Sequence, residues 1–284
     1  MRVLIAGCGY VGSRLAGLLV ESGAEVFALR RRPSADLLGV TTLCADLTDP
    51  ETLATLPRSL DAVVFCPSPS SPDFHGYSRI FIDGLRNLTE ALSAHERPPG
   101  RLIFTSSTAV YGQSNGEWVD ETSPTRPRRF NGKVLLEAEK LLHDGPLSGC
   151  VMRLGGIYGP GRVRRIEQVR AGEVRLDPGA PHYTNRIHLE DAARSLVHLL
   201  TLRSVAPVYL VTDNEPAPDN DVLRFIAAEL GLPEPPMAEF PTPRRSGSKR
   251  CRNDRLIASG YRLAYPSYRD GYLLIATSRF NSKL

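Results

Sequence analysis

Short apolar runs alternate with helix-like stretches through the first two hundred residues of this chain. Arg2–Ala6 and Ala24–Leu29 are apolar runs of strand length, and the segment from Tyr10 to about Ser22 between them predicts a helix. Further strands are predicted at Val40–Cys44, Asp61–Cys66, Arg101–Thr105 and Gly149–Leu154. Asp49 reads as the N-cap of a short helix, and longer helices are predicted over Phe74–His95 and from about Arg129 to His143. The alternation implies an α/β fold: a doubly wound parallel sheet with helices on both faces, which binds ligands beyond the carboxyl ends of its strands. After Gly155 the pattern weakens. A helix is predicted at Gly161–Ala171, another ending at Leu202, a strand at Val208–Val211, and one clear helix, Asn220–Leu230, in the proline-rich remainder.

The first strand runs into Gly7-Cys8-Gly9-Tyr10-Val11-Gly12, which opens the first helix. Strand, glycine loop and helix together make the unit that binds a dinucleotide diphosphate. Gly7 allows the tight turn, Gly9 lets backbone approach the diphosphate, and Gly12 lets the helix pack close to the sheet. The helix N-terminus then favours negative charge, so Tyr10 and Val11 join the glycines as cofactor-binding candidates. The second strand closes on Arg30-Arg31-Arg32. A carboxylate there would bind the ribose hydroxyls of NAD, whereas guanidinium forks suit the 2′-phosphate of NADP. NADP is therefore the expected cofactor, with NAD the lesser candidate; the plain alternative is a solvated basic turn.

Composition narrows the class. Hydrophobic residues make up 42% and charged residues 23% of 284, which is ordinary for a soluble globular protein. No apolar run is long enough to span a membrane and no signal-peptide pattern opens the chain, so a cytoplasmic location is expected. Cys8, Cys44, Cys66, Cys150 and Cys251 lack metal-ligand spacing and read as buried free thiols, and no metal site is expected. A net charge of +4, with arginine clusters at 126–129, 162–170 and 244–255 but no binding motif, argues against nucleic acid and for an anionic small molecule.

The chain resembles the extended short-chain dehydrogenase/reductase superfamily, in particular its NAD(P)-dependent epimerase/dehydratase-like branch. The likeness rests on GCGYVG at 7–12, ADLTD at 45–49, FTSSTAVYG at 104–112, Lys133 with Glu137, RLGGIYGPGR at 153–162, NRIHLEDAA at 185–193 and YPSYRDG at 265–271. It implies a Rossmann domain over 1–154 plus about 186–212, and a smaller substrate-binding lid over about 155–185 plus 213–284. Asp46 and Leu47 would sit at the adenine, and Cys66, Pro67 and Ser68 would line the cofactor, with Ser68 also facing substrate. Ser107 would orient a substrate oxygen, and Lys133 would hold the nicotinamide ribose and lower the pKa of a catalytic tyrosine. Helices 74–95 and 129–143 correspond to those that often form a homodimer interface, and the implied substrate is a sugar nucleotide or other small polar anion.

That tyrosine is missing. Four residues before Lys133 stands Arg129, which is never deprotonated in proteins and is no general base. Three accounts are open. A tyrosine from elsewhere, Tyr111, Tyr158 or Tyr183, reaches the site; or Arg129 binds an anionic substrate group while Ser107 or water assists; or the protein binds NADPH as a sensor and catalyses nothing. GEWVDETSP at 116–124 and the YPSYRDG ending resemble a bacterial subgroup that lacks this tyrosine. Arg186 is a further candidate for a substrate phosphate, and Lys249 and Arg250 with Asn253 either close over an anionic substrate or solvate a loop, while His188 reads as structural.

Overall fold

The computed structural model describes residues 1–32, 37–147, 149–241 and 247–278. It divides into two compact units: one comprises 1–110, 125–153 and 193–209, the other 111–124, 154–192 and 210–284. Segment 111–124, assigned from sequence to the first, thus clusters with the second.

The first unit is built on a seven-stranded sheet. Strands β1 (Arg2–Ala6), β2 (Glu25–Arg30), β3 (Val40–Cys44), β4 (Ala62–Phe65) and β5 (Arg101–Ser107) run in the order β3-β2-β1-β4-β5, followed by Gly149–Leu154 and Val208–Val211. The pairs β1–β2, β2–β3, β1–β4 and β4–β5 are parallel. Helices α1 (Tyr10–Glu21), α2 (Phe74–Ser78), α3 (Gly84–Ser93) and α4 (Phe130–Asp144) cover it. The chain leaves β1 for β2 and β3 on one side, then crosses to β4 on the other. This reversal opens a crevice at the carboxyl ends of β1 and β4, where such sheets bind ligands.

Central strands are apolar throughout because both faces are covered: Val3, Leu4, Ile5, Val63, Val64 and Phe65 are fully buried. β3 lies at the edge and is largely exposed, so Cys44 faces solvent while the other four free thiols are buried. Asp49 caps a short 3₁₀ helix, its side chain accepting from Glu51 N. The helix expected over 74–95 contains a π turn at Arg79–Asp83 between α2 and α3. At the start of α4, a Cβ on Gly132 would come 2.3 Å from the Ala109 carbonyl. Only glycine lets α4 lie so close to the turn that follows Ser107.

The second unit has its own core, including Tyr158, Ile166, Leu176, Val222, Ile226, Tyr268 and Tyr272. Its helices are Arg164–Arg170, Asp219–Glu229, Asp254–Ala258 and Tyr268–Ser278. Three of these fall after Asp213, where the proline-rich sequence suggested one; Tyr268–Ser278 starts just past Pro266, with Ser267 Oγ accepting from Arg269 N at 3.0 Å. Among the described residues, no helix is long and apolar enough to cross a membrane.

Candidate cofactor site

The crevice of the first unit holds a cavity of about 180 Å³ lined by residues that include Gly7, Gly9, Arg30, Arg31, Asp46, Leu47, Pro67 and Ser68. Eight of the expected residues therefore converge. Each glycine has its own constraint. Gly7 has φ +94°, and a Cβ there would fall 2.4 Å from Pro67 Cα. A Cβ on Gly12 would press on Gly7 O, Ile5 and Cys66 at 3.0–3.2 Å. Gly9 differs, since its Cβ would meet nothing within 4 Å. Its bare backbone faces open space at the N-terminus of α1, where Gly9 is the N-cap and no side chain caps the helix. That is the cradle a diphosphate needs, and Tyr10, Val11 and Gly12 form the first turn behind it.

Arg30 closes β2 and bends back toward this loop. Its Nη2 donates to Ser13 Oγ at 3.0 Å and contacts Cys8 Sγ at 3.4 Å, while its buried Nε has no hydrogen-bond partner. Arg31 also lines the cavity; Arg32 is exposed and does not. Opposite, burial works against ionisation of Asp46. The Thr48 backbone N–H and hydroxyl, each 2.9 Å from Oδ1, together with the charges of Arg31 and Arg79, outweigh it and hold the carboxyl below its usual range. Cys66 donates to Gly7 O at 3.3 Å, and burial first, then Cys8, pushes its thiol up. An unpartnered buried guanidinium N–H, an open glycine cradle and an ionised carboxylate fit a dinucleotide.

The remaining candidates lie elsewhere. Ser107 is half-buried at the end of β5, its Oγ accepting from Ala109 N at 3.2 Å. Lys133 is exposed and lines a different groove on α4 with Glu137, Lys140 and His143. Arg129 is the exposed N-cap of α4. In the second unit, Tyr111 is buried with its hydroxyl donating to Asp120 O at 2.8 Å. Tyr158 is buried against Tyr272, and burial and Asp213 raise its phenol well above the usual value. Tyr183 packs under the Arg250 guanidinium, which Trp118 also stacks. Arg186 is buried beside Asp219, 3.4 Å away, and over Tyr268. His188 stacks on Tyr265 and accepts from Glu190 N, as a structural histidine would. Lys249 is buried, which lowers its pKa, and Asn253 bonds Thr212 O and Asn214. Arg244 and Arg245 lie outside the described residues.

Sequence reading missed Ser13 and Ile80, which touch Arg30 and the cavity respectively, and the Arg79–Thr48 contact beside Asp46. Ser13 lies one turn beyond Gly9, a spacing that could have marked it.

Residues 3–209 match the model of the NAD dependent epimerase/dehydratase family. The chain belongs to that family. As a member it is an oxidoreductase type with a nicotinamide dinucleotide site. It is 29% identical over 307 residues to a 3-diazoavenalumate denitrifying reductase from a Streptomyces species, covering 95% of this chain and 99% of that one. A solved Methylobacillus flagellatus protein assigned to the NAD-dependent epimerases/dehydratases is 41% identical, with TM-score 0.81 and 98% of each chain covered. The Thermus thermophilus UDP-glucose 4-epimerase, solved with NAD, shares the fold at 23% identity and TM-score 0.83 over the whole of both chains.

Proposed function

We propose that this family member is an NADP-dependent, epimerase/dehydratase-like oxidoreductase acting on a small polar or sugar-nucleotide substrate. The observation that carries the reading is Arg30: a guanidinium beside the glycine loop, with a buried N–H lacking a protein partner. A 2′-phosphate dianion satisfies such a group through charge-assisted hydrogen bonds. Arg31 adds charge at the same cavity. The substrate class draws on the named relatives, one a reductase and one a sugar-nucleotide epimerase.

In this reading the first unit carries the dinucleotide and the second the substrate. The bound nicotinamide supplies hydride transfer. Ser107 orients the reacting oxygen, and Lys133 places a cation at the start of α4. Arg129, in the tyrosine's place, binds an anionic substrate group. A cytoplasmic homodimer, formed through α4 and the helices at 74–93, belongs to the same reading; Tyr77 and Phe130 already pack these helices together at 5.5 Å.

A second reading, a non-catalytic NADP-binding regulator, is favoured by the tyrosines. Tyr111 is hydrogen-bonded to backbone, and burial disfavours ionisation of Tyr158. Fluorescence titration with NADPH and NADH tests the cofactor, and tighter NADH binding refutes the NADP assignment. Hydride transfer across a sugar-nucleotide and carbonyl panel separates enzyme from regulator. Turnover that Ser107→Ala and Lys133→Met leave intact would reject the catalytic pair. Sedimentation of the purified protein tests the dimer.

A further inference from the structure

We infer that Ser13 is the positioning residue behind the choice between NADPH and NADH, an inference that rests on the NADP reading above. The Arg30 side chain is held at both ends. Its backbone is fixed in β2, where it pairs with Cys44 and its carbonyl accepts from Ala45 N at 3.0 Å. Its Nη2 is held by the Ser13 hydroxyl, which α1 fixes in turn, because Ser13 N donates to Gly9 O at 2.8 Å. Ser13 thus couples the guanidinium to the glycine loop.

Two further observations give that coupling a purpose. Among the described residues Arg30 has no carboxylate partner; the acceptors that orient it are the Ser13 hydroxyl and the Cys8 sulfur, which leave its charge for a ligand. Its Nε is buried without a hydrogen-bond partner. Immobilising a long, rotamer-rich side chain such as arginine costs conformational entropy, and a side chain already held avoids part of that cost when ligand binds. NADH has no 2′-phosphate, so the benefit of Ser13 is confined to NADPH.

The test is a set of dissociation constants for NADPH and NADH, read by nucleotide fluorescence, with displacement by adenosine 2′,5′-bisphosphate as a hydride-free probe. Variants are Ser13→Ala, Ser13→Thr, Arg30→Gln and Ser13→Ala with Arg30→Gln. Ser13→Ala is expected to weaken NADPH and the bisphosphate about five- to tenfold, and NADH by less than about twofold, with Tm unchanged. Ser13→Thr restores NADPH affinity. In the Arg30→Gln background Ser13→Ala adds no further loss. Equal losses for both nucleotides, or the same loss in both backgrounds, would overturn the inference. A wild-type protein that binds NADH as tightly as NADPH defeats the underlying cofactor reading. A preference abolished by Arg30→Gln yet untouched by Ser13→Ala defeats the role of Ser13 alone.

Discussion

Arg153 grips Glu139 inside the first unit: Nε lies 3.2 and 3.1 Å from the two carboxylate oxygens, and Nη2 2.7 Å from Oε2. Both side chains are less than a tenth exposed, and the Ser106 hydroxyl donates to the same carboxylate at 2.6 Å. The trio ties α4 to β5 and to strand Gly149–Leu154, immediately beside Ser107. Removing one member of a buried pair strands the other charge, a loss of about 3–5 kcal/mol. Glu139→Ala should therefore lower the urea midpoint sharply, whereas Glu139→Met with Arg153→Met should recover much of the loss. A single variant as stable as wild type would show that water, rather than the carboxylate, solvates Arg153.

Gly7 and Gly9 predict opposite outcomes for the same chemical change. Gly7→Ala places a Cβ 2.4 Å from Pro67 Cα at a positive φ, so the loop must shift; Tm and nucleotide binding should fall together. Gly9→Ala meets no protein atom within 4 Å, so Tm should hold. Its methyl group instead takes the space a diphosphate needs, and NADPH binding should weaken by at least about tenfold, or 1.4 kcal/mol. Calorimetry and nucleotide titration on the two variants decide it. A Gly9→Ala protein with normal affinity would remove the diphosphate from this cradle.

What the sequence could reveal depended on periodicity. Strands such as Arg2–Ala6 and Gly149–Leu154 coincide with their apolar runs because a parallel sheet buries both faces. Arg30 was legible because a strand end beside a glycine loop has a fixed address in this fold. Ile80 was not, because it reaches the cavity from the π turn at Arg79–Asp83, a local departure that the helical periodicity does not reveal. Glu139 carried an unused signal: it falls on the buried stripe of α4 with Leu135, Ala138 and Leu142, where an acid demands a buried partner. Tyr268–Ser278 escaped because Pro266 and nearby polar residues mask its apolar face, which only the core of the second unit defines.

Asp191 is a hydrogen-bonding hub of the second unit. Its fully buried carboxylate accepts from the Tyr261 hydroxyl and from Ala264 N and Tyr265 N, each at 2.8 Å. Asp191→Ala leaves the Ala264 and Tyr265 backbone N–H groups without this acceptor, while the Tyr261 hydroxyl keeps the Asp191 carbonyl at 3.2 Å; each orphaned group costs about 1–3 kcal/mol. Segment 261–268 should become protease-sensitive and exchange its amides faster, while β1–β5 keep their protection. Asp191→Asn retains one acceptor oxygen and should fall between. Uniform protection in the alanine variant would contradict this account.

Asp213 makes stability depend on pH with an unusual sign. Burial pushes its carboxyl up to about 8; Arg186 and the hydrogen bond from the Glu215 backbone N–H oppose the shift, and the charges of Glu215 and Asp191 add to it. The side chain is about 1% exposed, and Oδ2 has no hydrogen-bond partner. A carboxyl whose folded pKa exceeds its unfolded value binds more protons folded than unfolded, so its contribution is full below the unfolded pKa near 4. Between about pH 4 and 8 the unfolded chain ionises while the folded one does not, and stability declines through that window, levelling off above it. Asp213→Asn, neutral in both states, removes this slope. Urea midpoints measured from pH 5 to 8.5 should show the variant gaining on wild type as pH rises. Parallel curves would mean that Asp213 is already ionised in the folded protein, its charge met by Arg186.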